Sequence, residues 1–309
     1  MKIAVMGAGA LGGYFGGRLA QAGHEVWLIA RGAHLDAMQK NGLKIISPNG
    51  DAHLRDIHAT GDPAEVGEVD VVFFMVKNRD VENAAKAIQP MLGSETFVVT
   101  CQNGITAWER LGAIVGEDRV IPGVARIPGE ITRPGVITHT ATFDVLSFGE
   151  VDGSPSQRTR DLRDVLADAA TSPVIVDNIR HDLWTKFCGQ SALASLTTLT
   201  GLDVGPLRDT PESAKLFKDA IAENYRVGKA VVPDLPEDIP DINWNWIQRL
   251  PDHMHASMLD DLRNGKPIEL EYLSGDVVRL GRKHGVPTPI HGTLYAALKP
   301  MADRLEATA

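Results

Sequence analysis

The chain has 309 residues, 43% of them hydrophobic and 23% charged, with a formal net charge of -9. Its length suits two domains and its composition an ordinary globular protein. The acidic balance argues against a nucleic-acid binder or a protein held on an anionic membrane, since both want basic surface.

The two cysteines, Cys101 and Cys188, lie in no C-x-x-C or zinc-ligand spacing, and the scattered histidines set no metal site. A reducing compartment fits. No signal peptide precedes the first strand, and the longest apolar run, residues 71–76, is too short for a bilayer. A cytoplasmic protein is expected.

Ile3-Ala4-Val5-Met6 reads as a strand buried on both faces. Gly7-Ala8-Gly9-Ala10-Leu11-Gly12 follows at once and matches G-x-G-x-x-G. Gly7 permits the tight turn, Gly9 lets a pyrophosphate approach the backbone, and Gly12 lets the next helix lie close to the strand. The helix start, with Ala10 and Leu11, offers free N–H groups to phosphates. A second strand, residues 25–30, completes the context that the motif needs. That strand ends in Arg31, with no carboxylate before Asp36. An arginine there suits a 2′-phosphate, so NADP(H) is read over NAD(H).

Residues 35–41 read as a short helix and 43–46 and 53–59 as strand. Residues 70–76 form a central strand ending at Lys77, 81–90 a helix, and 96–100 another buried strand running into Gln102-Asn103-Gly104. The repetition is that of a doubly wound Rossmann-type α/β domain, whose ligands bind at the carboxyl ends of its strands. The glycine turn, Arg31, Lys77 and Asn103 each sit at such an end. Short alternating strands over 120–148 are expected to finish the same sheet in mixed orientation. A helix over 158–169 and a strand over 174–177 close the domain, with the boundary near Asn178. The expected division is thus 1–177 and 178–309.

Beyond it strand signals almost vanish, so an all-α C-terminal domain is expected. Helices are read over 182–199, 211–231, 244–250, 257–263, 269–284 and 291–304, the last disturbed at Pro300. Residues 233–241, rich in proline and acid, read as a loop. Cofactor on the first domain and side chains of the second would meet in a cleft. In His181-Asp182-Leu183-Trp184-Thr185-Lys186-Phe187, an amphipathic lysine could protonate a carbonyl oxygen as hydride arrives, or simply lie on the surface. Lys186, Gln190 and Ala194 share one helical stripe. Glu269 falls in a predicted first helical turn, where an acid also suits the helix dipole.

With these segments and SMLDDLRNGKPIELEYLSG at 257–275, the chain resembles the 2-dehydropantoate 2-reductase (ketopantoate reductase) family over essentially its full length. The resemblance implies an NADPH-dependent reductase of a small anionic 2-oxo acid. It implies that Lys186 is the catalytic proton donor and Glu269 its acidic partner at the substrate hydroxyl. Asn103 would lie between nicotinamide and substrate, Ser257 would contact the substrate carboxylate, and Arg31 and Lys77 would serve the cofactor. The family's asparagines four and eight positions after the lysine are here Gln190 and Ala194. Gln190 keeps an amide for substrate on a longer arm, and Ala194 keeps nothing polar. Two other classes fit less well: a β-hydroxyacid dehydrogenase of the 3-hydroxyisobutyrate type, and a non-catalytic NADP-binding sensor. The sequence leaves oligomeric state open, with a homodimer the option that analogy favours.

Overall fold

The computed structural model describes residues 1–308. The chain divides into two units: Met1–Gln102 with Ala107–Ile179, and Asn103–Thr106 with everything from Arg180 onward. The sequence pattern puts the break near Asn178 and keeps Asn103 in the first domain. Instead, the segment Asn103–Thr106 groups with the helical unit, because its contacts are made there.

The first unit runs, in chain order, β1 (Lys2–Met6), α1 (Ala10–Gln21), β2 (Glu25–Ile29), α2 (Gly32–Asn41), β3 (Leu43–Ile46), β4 (Ala52–Leu54), β5 (His58–Thr60), β6 (Val69–Phe74), α3 (Val81–Ala87), β7 (Leu92–Thr100), α4 (Ala107–Val115), β8 (Val120–Arg126), β9 (Gly129–Arg133), β10 (Val136–His139), β11 (Val145–Phe148), α5 (Gln157–Asp168) and β12 (Ser172–Ile175). Its main sheet has the order β12-β11-β8-β7-β6-β1-β2-β5. Neighbours from β5 through β1 to β8 are parallel, and β11 joins β8 antiparallel. The chain leaves β1 toward β2 on one side and returns to β6 on the other. That reversal is the switch point where open α/β sheets bind ligands.

Both faces of the sheet are covered. Ile3, Val5, Leu28, Val71, Phe73 and Val99 pack with Phe15 and Leu19 of α1 and Leu162 and Leu166 of α5. Ala4, Met6, Val72, Phe74 and Val98 pack with Val81, Ala84 and Ala85 of α3 and Leu111 of α4. Alternation along each strand therefore feeds two apolar cores, which is why these strands read as unbroken apolar runs.

The expectation that residues 120–148 complete one sheet is corrected in part. β8 and β11 do so, but β9 and β10 form a second, four-stranded sheet of order β4-β3-β10-β9. The predicted strand over 53–59 likewise splits, β4 going to the second sheet and β5 to the first. α1 lies between the two sheets. A Cβ on Gly16 would stand 2.7 Å from Leu28 Cδ2, and one on Gly17 would stand 2.6 Å from Ile45 Cδ1 of the second sheet. The run Gly12-Gly13…Gly16-Gly17 is thus a helix without side chains on two adjoining stripes, each facing a sheet.

The second unit contains α6 (Ile179–Thr200), α7 (Val204–Asp209), α8 (Pro211–Val231), α9 (Ile239–Arg249), α10 (Ser257–Arg263), a 3-10 turn (Leu270–Tyr272), α11 (Ser274–His284) and α12 (Pro289–Glu306). α9 starts earlier than the sequence pattern predicts, with Pro240 in its first turn, where proline lacks no needed N–H. The helix predicted over 269–284 is shorter: Leu273 takes φ -113° and ψ -99°, and α11 begins only at Ser274.

A buried polar chain fixes these helices. Ser195 and Ser274 hydroxyls lie 2.6 Å apart, Ser274 Oγ lies 3.0 Å from His291 Nδ1, and His291 Nε2 lies 3.3 Å from the Ala220 carbonyl. The carbonyl can only accept, so Nε2 carries the proton and Ser274 donates to Nδ1. The Glu223 carboxylate, wholly buried, accepts from the backbone N–H groups of Ile290 and His291 at 3.1 and 2.7 Å and caps α12.

Burial pushes the His291 imidazole down to about 4 from its ordinary 6.5. The unfolded chain then binds the proton first on acidification, so this stabilisation is complete above about pH 6.5 and declines as pH falls toward 4. The loss should reach about 3 kcal/mol in urea unfolding, and His291→Gln should show a flatter profile across that window.

Candidate active site

The glycine turn follows β1 at the switch point. Gly7 has φ +97°, and a Cβ there would lie 2.9 Å from the Val76 nitrogen. A Cβ on Gly12 would stand 2.3 Å from the Gly7 carbonyl oxygen, so α1 starts in backbone contact with the turn. At Gly9 a Cβ would meet nothing within 4 Å. Gly9 therefore answers to no neighbour in the fold, and its missing side chain leaves room beside the start of α1, where the first N–H groups have no partner within the helix. This is the form that a diphosphate cradle takes at a helix start. The turn is tied to β2, since Gly7 and Ala8 both donate backbone N–H to the Ile29 carbonyl, at 3.1 and 2.8 Å.

Arg31 follows two residues later as the residue preceding α2, and it is exposed. No ion pair or hydrogen bond engages its guanidinium among the described residues. Lys77 is also exposed, after β6, and opens a short turn. Behind that turn Arg110 grips the Glu82 carboxylate through Nε and Nη2, at 2.7 and 2.8 Å, and donates to the Asn78 carbonyl at 2.7 Å. The guanidinium lowers the Glu82 pKa. Gln102 Nε2 donates to the Phe74 carbonyl at 2.7 Å and joins the ends of β6 and β7. The turn, Arg31 and Lys77 thus stand at the carboxyl ends of the adjacent parallel strands β1, β2 and β6.

The second unit brings together three of the expected site residues. Lys186 Nζ donates to Asn103 Oδ1 at 3.1 Å, and Gln190 Nε2 donates to the same oxygen at 2.8 Å. Lys186 and Gln190 lie one turn apart on α6, as their spacing requires. Gln190 Oε1 is buried and has no partner among the described residues. Lys186 is half-buried, and the rings of its sequence neighbours Trp184 and Phe187 meet edge to face with centroids 5.4 Å apart. Its helical turn is braced from two sides: Asn243 Nδ2 donates to the Thr185 carbonyl and Asn224 Nδ2 to the Cys188 carbonyl, both at 2.9 Å. Ala194, a turn beyond Gln190, is 1% exposed.

Asn103 is presented by a short strap. Gly104 has φ +94°, and a Cβ there would stand 2.8 Å from the Tyr272 carbonyl oxygen. Thr106 Oγ1 donates to Asp276 at 2.9 Å. The strap is therefore pinned to the turn just after Glu269. Glu269 itself is half-buried and flanks the 3-10 turn, five residues ahead of α11. This corrects its predicted place in an α-helical first turn, and helix-dipole stabilisation does not explain an acid there. Ser257 is exposed and begins α10, as the pattern predicts.

The ketopantoate reductase PanE/ApbA family matches residues 3–153, and its C-terminal domain family matches residues 178–302. The chain belongs to the ketopantoate reductase family. Among curated relatives, 2-dehydropantoate 2-reductase of Mesorhizobium japonicum is 31% identical over 98% of both chains. Among solved structures, a PanE/ApbA family ketopantoate reductase from Ralstonia eutropha superposes with a TM-score of 0.91 at 31% identity, covering 99% of this chain and 100% of that one. A D-mandelate dehydrogenase solved with NADH and anilino(oxo)acetate shares the fold, with a TM-score of 0.90 at 23% identity and 99% of each chain covered. Membership makes the chain an oxidoreductase with a Rossmann-type first domain and a helical second one.

Several contributors escape a motif search. The Asn243 and Asn224 braces and the Thr106–Asp276 bond come from residues far apart in sequence. Gly104, inside Gln102-Asn103-Gly104, was the one visible signal of the strap. Two substitutions separate the roles of the glycines. Gly12→Ala should destabilise the protein by about 1–3 kcal/mol, because the clash is with backbone. Gly9→Ala should leave the melting temperature within about a degree, a change of a few tenths of a kcal/mol, yet weaken dinucleotide binding measured by titration.

Proposed function

We propose that this chain is an NADP(H)-dependent reductase of small anionic 2-oxo acids, 2-dehydropantoate or a close analogue. The observation that carries the reading is the half-buried Lys186 joined with Gln190 on one oxygen of Asn103. An ammonium on a braced helix is a hydrogen-bond and proton donor suited to a carbonyl oxygen.

The cofactor-facing groups support the same reading. The Gly7–Gly12 turn suits a diphosphate, and the exposed Arg31 guanidinium suits a 2′-phosphate. NADPH, when bound, supplies the hydride to the carbonyl carbon. Lys186 donates a hydrogen bond and then a proton to the carbonyl oxygen, giving the 2-hydroxy acid. Glu269 steadies the lysine or the new hydroxyl, Asn103 orients Lys186, and Ser257 and Gln190 contact the substrate. Lys77 assists the cofactor. Family membership favours this reaction over that of a β-hydroxyacid dehydrogenase.

The test is NADPH oxidation with 2-dehydropantoate and a panel of other 2-oxo acids. Lys186→Ala should lower kcat by about 10²–10⁴-fold while NADPH still binds. Turnover of another oxo acid alone would move the substrate and keep the chemistry. Binding without any turnover would replace the reductase by a cofactor-binding sensor. Arg31→Ala should raise KM for NADPH by about 10- to 100-fold and leave KM for NADH nearly unchanged, the expected loss of hydrogen bonds to a charged group.

A further inference from the structure

His34 lies one helical turn after Arg31, on α2, and is half-buried. Its Nδ1 accepts the backbone N–H of Gly135 at 3.0 Å. An atom that accepts from an N–H carries no proton, so the ring is the Nε2–H tautomer. Nε2 is sealed from solvent, and the Ala8 carbonyl faces it without completing a well-formed hydrogen bond. Burial lowers the imidazole pKa, and the Ala8 carbonyl acts in the opposite sense. The ring is therefore a neutral wedge between the middle of the glycine turn and the β9–β10 turn of the second sheet.

The Gly135 side of the wedge is rigid. Gly135 has φ +75°, a Cβ there would stand 3.1 Å from Ala37 Cβ, and its carbonyl accepts from Lys44 N–H at 2.9 Å. The glycine turn is already held on one side through Ile29, two residues before Arg31. His34 is a second strut, from the opposite end of the Ala8 peptide to the first turn of α2.

We propose that His34 is a positioning residue for the phosphorylated cofactor, fixing the distance between the diphosphate cradle at Gly7–Gly12 and the 2′-phosphate group's partner Arg31. The proposal rests on the assignment of Arg31 to a 2′-phosphate. A cofactor with that phosphate is gripped at two places a fixed span apart, so it gains only if both elements keep their separation. A cofactor without it needs the glycine turn alone. A shift of the turn away from Nε2–H is disfavoured, because an unmet buried donor costs free energy.

The test compares dissociation constants for NADPH and NADH, read by cofactor fluorescence, in the whole enzyme. His34→Asn keeps an acceptor near the Nδ1 position and removes the donor facing Ala8. It should weaken NADPH by about tenfold, the worth of one hydrogen bond, and NADH by less than about twofold, with kcat at saturating NADPH unchanged. His34→Gln puts an amide N–H near the Nε2 position and should keep the wild-type ratio of the two constants within about twofold. Equal weakening of both cofactors by His34→Asn would overturn the proposal, since a general prop for the fold acts on both alike. So would a ratio lost in His34→Gln, a result that stands even if the asparagine variant does not fold. A wild-type protein that shows no preference for NADPH would instead remove the Arg31 assignment itself, and that outcome is recognised before any variant is made.

Discussion

The contact on which the first unit depends is the approach of α1 to the backbone around it. Four glycines at Gly12, Gly13, Gly16 and Gly17 let the helix touch the Gly7 carbonyl, the main sheet and the second sheet at distances that a Cβ would forbid. The approach fixes where α1 begins, and hence where its free N–H groups point. Phe15 and Leu19, on the same helix, fill the core beneath. A helix held this closely cannot shift along its axis without meeting a strand, so the cradle is set before any ligand arrives.

The helical unit solves a different problem. The role proposed for Lys186 demands a side chain dry enough to interact strongly and held tightly enough to aim. α6 meets the second need with amide braces at the Thr185 and Cys188 carbonyls, on either side of Lys186. Asn103 contributes to the aim, carried by a strap whose Gly104 leaves no room for a side chain beside Tyr272. Two donors converge on one amide oxygen there. Gln190, one turn along α6 from Lys186, supplies the second of them. The polar core behind α6, from Ser195 to His291, keeps the same helix in register with α11 and α12.

The sequence by itself determined the parts that local chemistry dictates. Unbroken apolar runs and the glycine spacing specify buried parallel strands and a phosphate turn, because both depend on neighbours within a few residues. The change from strand to helix periodicity near residue 178 marks the all-α part for the same reason. Lys186 and Gln190 were legible as one stripe from the helical repeat alone.

Only the tertiary structure decided the rest. β9 and β10 read as two more short strands, and nothing local says that β10 pairs with β3, and β9 with β10, in a separate sheet. The expected helix start at Glu269 gave way to a 3-10 turn, since the buried side chain of Ser274, bonded to Ser195 and His291, sets where α11 begins. Asn103 grouped with the helical unit through contacts with residues more than eighty positions away. His34 took on its place only when the second sheet brought Gly135 to one ring nitrogen and the glycine turn brought Ala8 to the other. Periodicity and motif report what a residue meets along the chain. Pairing, bracing and burial depend on what the fold brings to it from elsewhere.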